Sequence, residues 1–517
     1  MSTLKHVAII GGGTAGWITA GILAADHRSH APDGLKITLI ESPDVPIIGV
    51  GEGTWPSLRD TLQRIGIKEG DFLRACQASF KQGSRFDGWV DGSEADHYYH
   101  PFDAPPGEDD LDLASLWRSA GGTSFADTVG SQSTLCRNDR APKQVQTPPY
   151  AAVANYAYHL DAPALASLLR RHCTEKLGVE LISAHVAKVD ISERSDIARV
   201  HTDSGQNIAA DLYVDCTGGR ALLIGESLAA PITDVSHILF NDRALALHVP
   251  HTNPAASIAS QTNATALTAG WVWDIALQNR RGIGYVFSSA HTSEEEARSE
   301  FSSYLKRTAP DFQGDVSSAR LLSFKSGFRE TPWVGNTVAI GMAQGFVEPL
   351  EASAIVMIEL SAAMLSDTLP PSTALLPACA KRFNEKFAYR WHRIVDFLKL
   401  HYVLSRRSEP YWSAHRDRAS WPARLVELME IWQHMPPSRE DFPQSTEIFP
   451  AASYAFVLYG MGFEAPSRPY ERRKDLAERA QRRRAEIAAR TQQLLAGLPS
   501  NRELLTQLCD PKIAGAA

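Results

Sequence analysis

The chain has 517 residues and a formal net charge of −7, and 44% of its residues are hydrophobic. This length accommodates two or three domains with a large core. The charge excludes a general nucleic-acid binder, because no basic excess is available to neutralise phosphates. The six cysteines lie far apart and form no CxxC pair, which predicts reduced thiols in a cytoplasmic protein and neither a zinc site nor a dithiol redox motif.

The N-terminal residues predict the start of a dinucleotide-binding unit. Residues 5–10 (KHVAII) form a β-branched run typical of a buried parallel strand. Gly11, Gly13 and Gly16 then give GxGxxG before a helical stretch at 17–25. The first glycine permits a tight turn, the second lets the backbone approach a pyrophosphate, and the third lets the helix pack on the strand.

A second strand and an acidic residue complete this unit. Residues 35–40 (LKITLI) predict a strand that ends at Glu41, which is placed to accept hydrogen bonds from a ribose. The apolar stretch 7–25 also suggests a signal peptide or membrane span, but its three consecutive glycines would weaken a spanning helix. FAD and NAD cannot be separated by the glycine loop alone. Residues 210–219 (ADLYVDCTGG) favour FAD, because they predict a strand and a second turn of the kind that lies against a flavin nucleotide.

Further elements follow in chain order. Residues 105–147 are rich in Pro, Gly, Ser and Asp and predict extended loops with little regular structure. The apolar spacing in 157–177 predicts a helix, and 202–207 (TDSGQN) a hairpin turn. Trp271 and Trp273 alternate in GWVWDIALQ, so on a strand they would share one face. Core packing is the plain alternative to a functional role for this pair.

The C-terminal part is predicted to be helical. Residues 383–407 mix aromatic and charged side chains, and residues 470–495 are dense in Arg, Glu and Ala. The spacing i,i+4 predicts the ion pairs Glu478/Arg482 and Glu486/Arg490 on a solvated helix. The run of arginines at 482–484 could contact a partner, but the interleaved acids favour an exposed helix face.

Ten segments occur in the order typical of one enzyme family. They are GGGTAGW at Gly11, GVGEGTWPSL from Gly49, SFKQGSRFDGW around Lys81, YYHPF from Tyr98, AYHLDAPALA from Ala157, VDCTGGRALLIG from Val214, GWVWDIA from Gly270, GYVFSS from Gly284, WVGNTVAIGMAQGFVEPLEAS from Trp333 and HYVLSRRSEPYW from His401. Through them the chain resembles the flavin-dependent halogenases of the tryptophan and indole type, up to about Gly462.

The resemblance implies an α/β fold. Its core would be an FAD-binding two-dinucleotide-fold box, related to aromatic hydroxylases, with a mainly helical region covering the substrate. We expect a discontinuous core over residues 1–465, including substrate-region loops at about 98–150 and helices at about 380–465. Residues 466–517 would form a charged C-terminal helical segment packed on this core or extending it.

The resemblance also implies site residues. The catalytic pair would be Lys81 and Glu351. The flavin site would include Gly11, Gly13, Thr14, Ala15, Gly16, Glu41, Gly51, Glu52, Asp215, Gly218 and Met342. Backbone amides of Ser353 and Ala354 would hold the halide, and the substrate pocket would be formed by His100, Phe102, Trp271 and Trp273. No set of His, Asp and Glu residues has metal-ligand spacing, so no metal is expected.

These residue types suit the halogenation of an aromatic ring. Hypohalous acid must be steered, and the Lys81 amine can either be haloaminated or donate a hydrogen bond to it; both routes stay open. Partial burial of Lys81 beside Phe80, Phe86 and Trp89 would lower its pKa. Glu351 would stabilise the cationic ring and take its proton. Its plainer interpretation is an acid in the first turn of a helix over residues 352–360, and the two interpretations are compatible.

Three departures from the family pattern bear on specificity. The tryptophan signature usually ends Ile-Pro, and here it ends Ile275-Ala276. The catalytic glutamate is usually followed by Ser-Thr-Gly, and here by Ala352-Ser353-Ala354. An alanine for that glycine would narrow the backbone choices at the halide pocket, so bromide could be preferred to chloride. Residues 443–456 lack the aromatic-rich segment that grips free tryptophan, which favours a bare indole.

The expected activity is an FADH2-dependent halogenase acting on an electron-rich aromatic such as indole. Reduced flavin would come from a separate flavin reductase, because no second nucleotide site for NAD(P)H is evident. We expect no nucleic acid and no membrane among its partners, and a homodimer is compatible with the sequence. The alternatives are a flavin-dependent aromatic monooxygenase (hydroxylase), and a flavin-binding protein without turnover that binds a partner through the arginine-rich helix.

Overall fold

A computed structural model describes residues 3–45, 49, 51–105, 113–118, 121–193, 196–464 and 474–510. Its strands are β1 (His6–Ile10), β2 (Lys36–Glu41), β3 (Glu52–Gly53), β4 (Ser79–Lys81), β5 (Gly83–Asp87), β6 (His97–Pro101), β7 (Ala157–Leu160), β8 (Glu180–Ser183), β9 (Val186–Ile191), β10 (Ile197–Thr202), β11 (Asn207–Ile208), β12 (Leu212–Asp215), β13 (Thr233–Asp234), β14 (Arg243–Pro250), β15 (Thr262–Leu267), β16 (Gly270–Ala276), β17 (Arg280–Phe287), β18 (Arg320–Ser323), β19 (Gly327–Phe328), β20 (Trp333–Val334), β21 (Thr337–Ala339) and β22 (Gly345–Phe346).

The α-helices alternate with these strands at first and dominate the C-terminal third. They are α1 (Thr14–Asp26), α2 (Ser57–Ile65), α3 (Glu69–Ala75), α4 (Leu113–Arg118), α5 (Phe125–Val129), α6 (Gln132–Arg137), α7 (Ala162–Lys176), α8 (Glu294–Thr308), α9 (Ser353–Asp367), α10 (Leu376–Val403), α11 (Pro410–His415), α12 (Ala423–Trp432), α13 (Ala451–Gly460), α14 (Lys474–Gly497) and α15 (Asn501–Cys509).

The chain divides into two compact units, each built from separated segments. Unit 1 comprises Met1–Ala78, Leu160–Val235 and Lys325–Trp391. Unit 2 comprises Ser79–His159, Ser236–Phe324 and His392–Ala517. Among the described residues, no helix is long and apolar enough to cross a membrane.

Unit 1 contains a six-stranded sheet in the order β20-β21-β12-β1-β2-β8. The pairs from β21 to β8 are parallel, and β20 is antiparallel to β21. Buried on both faces, β1 and β2 are nearly continuous apolar runs, as parallel strands of α/β folds are. The predicted β1–α1–β2 unit is therefore confirmed, with α1 beginning three residues earlier than expected.

Helices α2, α7 and α9 pack against α1 in unit 1. Helix α1 is buried along its whole length from Gly16 to Ala24, which explains why its sequence is apolar on all faces. Asp161 caps α7 by accepting a hydrogen bond from the Ala164 N–H (3.2 Å). The predicted hairpin turn at 202–207 is confirmed, because β10 and β11 pair antiparallel on either side of it.

Unit 2 is organised by a seven-stranded sheet in the order β18-β14-β17-β16-β15-β5-β6. Its pairs are antiparallel except that between β15 and β5, which is parallel. Helix α8 covers one face and contributes Phe301 to a core that includes Val272 and Ile283. A capping box between Ser293 and Glu296 fixes where α8 begins.

Two predictions about the middle of the chain were wrong in part. The region 105–147 contains three short helices, α4 to α6, rather than loops alone. Ser124, one of the polar residues of this region, caps α5 by accepting a hydrogen bond from the Asp127 N–H (3.2 Å). Residues 157–160 form strand β7 instead of the start of a helix, because they pair antiparallel with β4.

The predicted C-terminal helix is confirmed over α14, and its predicted residues 470–473 lie outside the described residues. Neither predicted i,i+4 ion pair forms in the described part of this helix. Glu486 pairs with Arg483 (2.9 Å), and Arg490 donates to the carbonyl of Val153 (3.0 Å). Within unit 2, Leu498 packs against Leu135 at the end of α14.

Candidate active site

Three loops of unit 1 lie at one edge of its sheet. Strands β1, β12 and β21 are neighbours and parallel, so the loops that follow them emerge side by side. A Cβ on Gly11 would approach the Cys216 carbonyl oxygen to 2.2 Å, and one on Gly341 would approach the Ala15 Cβ to 2.8 Å. The structure therefore brings the glycine loop, the turn after Asp215 and the segment of Met342 together.

This edge fits a dinucleotide. Gly11 has a φ of 112°, a conformation that favours glycine, and a Cβ on Gly16 would lie 1.9 Å from the Gly11 carbonyl oxygen. A Cβ on Gly13 would meet no described atom within 4 Å, so the backbone is open where a pyrophosphate would approach. The amides of Thr14 and Ala15 begin α1, whose described first turn carries no acidic side chain to repel phosphate.

Asp215 shapes the second loop. One carboxylate oxygen accepts from the amide and hydroxyl of Thr217 (3.0 and 2.6 Å). The other accepts from the amides of Leu223 and Ile224 (2.7 and 2.8 Å). The side chain is fully buried, so its part in flavin binding would be to hold the turn at Gly218, which has a φ of 69°, rather than to contact the flavin.

Glu41 lies at the end of β2, as predicted, and already has partners. Its carboxylate forms an ion pair with Arg170 of α7 (3.3 Å) and accepts from the indole N–H of Trp17 (3.4 Å). These contacts orient the carboxylate toward the glycine loop, where a Cβ on Gly12 would overlap it. Arg170 was not anticipated, since nothing near it in the sequence signals contact with β2.

Gly51 and Glu52 begin the segment that leads to α2. Gly51 has a φ of 121°. Desolvation raises the pKa of Glu52 to about 7, so near neutral pH this carboxyl exchanges between neutral and charged forms. The protonation of this carboxyl, in the predicted flavin-binding segment at Gly51 and Glu52, can respond to charge on a bound ligand.

Glu351 lies in a strained turn just before α9. Its φ is 63° and that of Ala352 is 57°, two successive left-handed residues without a glycine. The Glu351 side chain is 7% exposed, and its carbonyl accepts a hydrogen bond from the Trp55 indole N–H (2.7 Å). Trp55 belongs to the segment GVGEGTWPSL, but no role was predicted for this residue.

The two backbone amides that are predicted to hold the halide lie at the start of helix α9. Ser353 is its first residue and Ala354 its second, so the helix offers neither N–H an i−4 acceptor. Ala354 adopts a helical conformation that alanine favours, so its methyl group does not strain the backbone there. The left-handed conformations fall on Glu351 and Ala352 instead.

Lys81 lies in unit 2, at the end of β4. Its side chain is 1% exposed, and its Nζ lies 5.3 Å from the centroid of the Phe102 ring. The neighbouring Phe80 points to the other face of the strand and packs on Tyr156. Burial lowers the pKa of His159 well below its usual range, and the charge of Lys81 lowers it further. The lysine is therefore buried beside an aromatic ring and exerts its charge on a neighbour.

The tryptophan pair and His100 also belong to unit 2. Trp271 and Trp273 lie on β16, as predicted, with ring centroids 6.5 Å apart and exposures of 1% and 7%. Trp273 packs over Gly284, where a Cβ would overlap its ring. His100 is buried, and its Nε2 lies 3.0 Å from the Ser453 hydroxyl.

Comparison with known proteins decides the family. A model of the tryptophan halogenase family matches residues 6–477. The chain belongs to the tryptophan halogenase family. It is similar to tryptophan 7-halogenase RebH of Lentzea aerocolonigenes, at 32% identity over an alignment that covers 98% of each chain.

Two solved structures agree with this assignment. A tryptophan halogenase from Shewanella frigidimarina NCIMB 400 is 44% identical, with a TM-score of 0.94 over 99% of this chain and 98% of that one. Tar14, a tryptophan C-6 flavin-dependent halogenase (chlorinase) from taromycin biosynthesis, is 31% identical, with a TM-score of 0.89 over 98% and 99%. The chain is thus a flavin-dependent halogenase with an FAD-binding α/β fold and a helical region, as the resemblance implied.

The predicted site residues lie in both units. Unit 1 carries the predicted flavin-binding residues together with Glu351, Ser353 and Ala354. Unit 2 carries Lys81 and the predicted substrate-pocket residues. The structure brings Lys81 to Phe102 and Trp271 to Trp273 within unit 2.

Proposed function

We propose that this halogenase forms hypohalous acid from halide and O2 and halogenates an electron-rich aromatic such as indole. Bound reduced FAD would supply the activation of O2, and a separate flavin reductase would supply the reduced FAD. The observation that carries the proposal is the buried Lys81 amine against the Phe102 ring. A lysine in such surroundings is far from the solvated default of its residue type.

Lys81 would steer the hypohalous acid toward the substrate. An ammonium donates a hydrogen bond to the acid, and a neutral amine forms a haloamine with release of water. The Phe102 ring beside the amine supports this role, because it shields the amine from water. Trp271 and Trp273 would form a wall that keeps the organic substrate apart from the flavin.

Glu351 would accept the proton that the halogenated ring releases. Its burial limits hydration of the carboxylate, which strengthens its interaction with a cationic ring. The amides of Ser353 and Ala354 would bind the halide at the start of α9.

We propose bromide as the preferred halide. Bromide loses water more readily than chloride, and the Ala354 methyl group, at a position where the family usually has glycine, adds apolar surface beside the proposed amides. The expected result at equal bromide and chloride is predominantly brominated product. Predominant chlorination in that competition would contradict the halide preference alone.

We propose a bare indole rather than free tryptophan as the substrate class. In residues 443–456, Glu447 accepts from the backbone amide of Gln444 (2.8 Å), and Phe449 stacks on Phe397 with centroids 3.8 Å apart. The Phe449 ring is thus packed within unit 2, which supports an aromatic substrate without an amino acid group. Indole and tryptophan at equal concentration should give mainly haloindole, and halotryptophan as the main product would contradict this.

Mass spectrometry of indole incubated with the protein, FAD, a flavin reductase system and bromide tests the activity. The expected product carries one bromine, visible in its isotope pattern, and requires bromide. A hydroxylated product formed without halide would identify a monooxygenase instead. Stable FAD binding without any product across several aromatic compounds would contradict both.

A further inference from the structure

Two successive residues at the proposed catalytic turn are left-handed without being glycine. Glu351 and Ala352 have φ values of 63° and 57°. Each carries a Cβ that disfavours this region, so the surrounding structure must hold the turn in place. The Ala352 N–H donates to the Pro349 carbonyl (3.0 Å). Leu350, the residue before Glu351, has a buried side chain that anchors the start of the turn.

Trp55 fixes the peptide group between these two residues. Its indole N–H donates to the Glu351 carbonyl oxygen at 2.7 Å. That oxygen belongs to the peptide plane that joins Glu351 to Ala352, and the first amide of α9 follows immediately. The Trp55 donor and the Pro349 acceptor therefore hold the two ends of this peptide group, and with it the direction in which α9 begins.

Contacts between α2 and α9 hold Trp55 itself in position. Helix α2 starts two residues after it, and the Leu58 N–H donates to the Trp55 carbonyl (3.1 Å). From α2, the Ser57 and Thr61 hydroxyls donate to the Glu359 carboxyl of α9 (3.3 and 2.5 Å). The two helices are thus joined at Glu359 and again, through Trp55, at the turn before α9.

We propose that Trp55 is a positioning residue for the halide site and for the Glu351 carboxyl. The inference rests on the proposed roles of Glu351, Ser353 and Ala354. Without the indole N–H, the peptide between Glu351 and Ala352 loses the hydrogen bond at its carbonyl end and is held by the Ala352 N–H to Pro349 bond, so it can tilt from its left-handed conformation. The amides of Ser353 and Ala354 then lose their common direction, and halide binding weakens.

Trp55→Phe tests this, because phenylalanine keeps an aromatic ring and removes the N–H. The matched control is Trp333→Phe, which also removes an indole N–H bonded to a backbone carbonyl of unit 1, that of Gly335 (3.0 Å). We expect Trp55→Phe to raise the bromide KM about two- to tenfold, the range that one hydrogen bond supports. FAD affinity should not change, and Trp333→Phe should leave the bromide KM at the wild-type value.

Bromide titration of the FAD-loaded protein without reductant gives a readout that is independent of turnover, and its Kd should rise in parallel. Equal bromide KM and Kd in the wild type, Trp55→Phe and Trp333→Phe would overturn the inference. Absence of brominated product from the wild type would instead overturn the proposed function. If Trp55→Phe does not fold, Ser57→Ala replaces it, because this variant removes the Ser57–Glu359 hydrogen bond that helps to position Trp55. An unchanged bromide KM and Kd in Ser57→Ala would then overturn the inference.

Discussion

The Lys81 Nζ lies 5.3 Å from the centre of the Phe102 ring, on a side chain that is almost completely buried. In its ammonium form the amine would be attracted by the ring quadrupole. In unit 2 this contact joins the end of β4 to the residue that follows β6.

Lys81→Ala should abolish halogenation while reduced flavin and O2 are still consumed, because the variant removes only the group that steers hypohalous acid. Product formation and O2 uptake are measured together. The control is Lys143→Met, since Lys143 is equally buried and lies 5.2 Å from the Tyr156 ring centroid. Halogenation by Lys81→Ala at the level of Lys143→Met would remove Lys81 from the mechanism.

Glu351→Gln should lower turnover about 10²- to 10⁴-fold, the usual contribution of a positioned general base. The amide is isosteric and accepts no proton, so FAD binding and the folded state should persist. Glu69→Gln is the matched control, because Glu69 is another buried glutamate of unit 1, at the first residue of α3. Single-turnover product formation measures the effect, and equal rates in the two variants would contradict the assignment.

The local parts of the fold were accessible from the sequence. Strand β1, the glycine loop, α1 and β2 each carry their own signal: β-branched runs, glycines at fixed spacing and an acidic end. Alternation placed Trp271 and Trp273 on one face on the condition that their segment is a strand, and β16 meets that condition.

Features of the structure that depend on residues distant in the chain could not be predicted from the sequence. Residues 157–160 have an apolar spacing that also fits a helix, and only pairing with β4 makes them a strand. The left-handed turn at Glu351 and Ala352 contains no glycine, so no local signal marks it. Arg170 reaches Glu41 from another helix, a contact that sequence spacing cannot suggest.

Asp215→Asn should weaken FAD binding and lower the melting temperature. The substitution replaces one carboxylate oxygen by an NH2 group. Two of the four donors that Asp215 now satisfies therefore lose their acceptor. Each buried donor left unsatisfied costs about 1–3 kcal/mol. Thermal melts and FAD titrations measure the two effects.

The control for this change is Asp190→Asn. Asp190 is an acid of unit 1 that is paired at the surface with Lys188 (2.7 Å) and His201 (2.6 Å), and exposed pairs of this kind contribute about 0–1 kcal/mol. It should therefore leave both quantities nearly unchanged. FAD affinity and melting temperature that are equal in the two variants would show that the Asp215 network does not hold the loop.

Glu359 should make the stability of this halogenase fall as pH rises. Desolvation, opposed by the hydrogen bonds from Thr61 and Ser57, raises the pKa of its carboxyl from 4.5 to about 8. Between these values the unfolded chain has released the proton that the folded chain keeps. Unfolding is therefore coupled to proton release, and the stabilisation present below pH 4.5 is lost progressively up to about pH 8.

Glu359→Gln removes this titration and keeps a neutral side chain of the same shape. The amide loses one acceptor, which costs about 0.5–1.5 kcal/mol at every pH. Each unit of pKa shift corresponds to about 1.4 kcal/mol, so the variant should gain on the wild type by several kcal/mol between pH 5 and pH 8.5. Melting temperatures across this range measure the difference. Curves that stay parallel would mean that Glu359 is already ionised in the folded protein, and that Ser57 and Thr61 bind a carboxylate rather than a neutral acid.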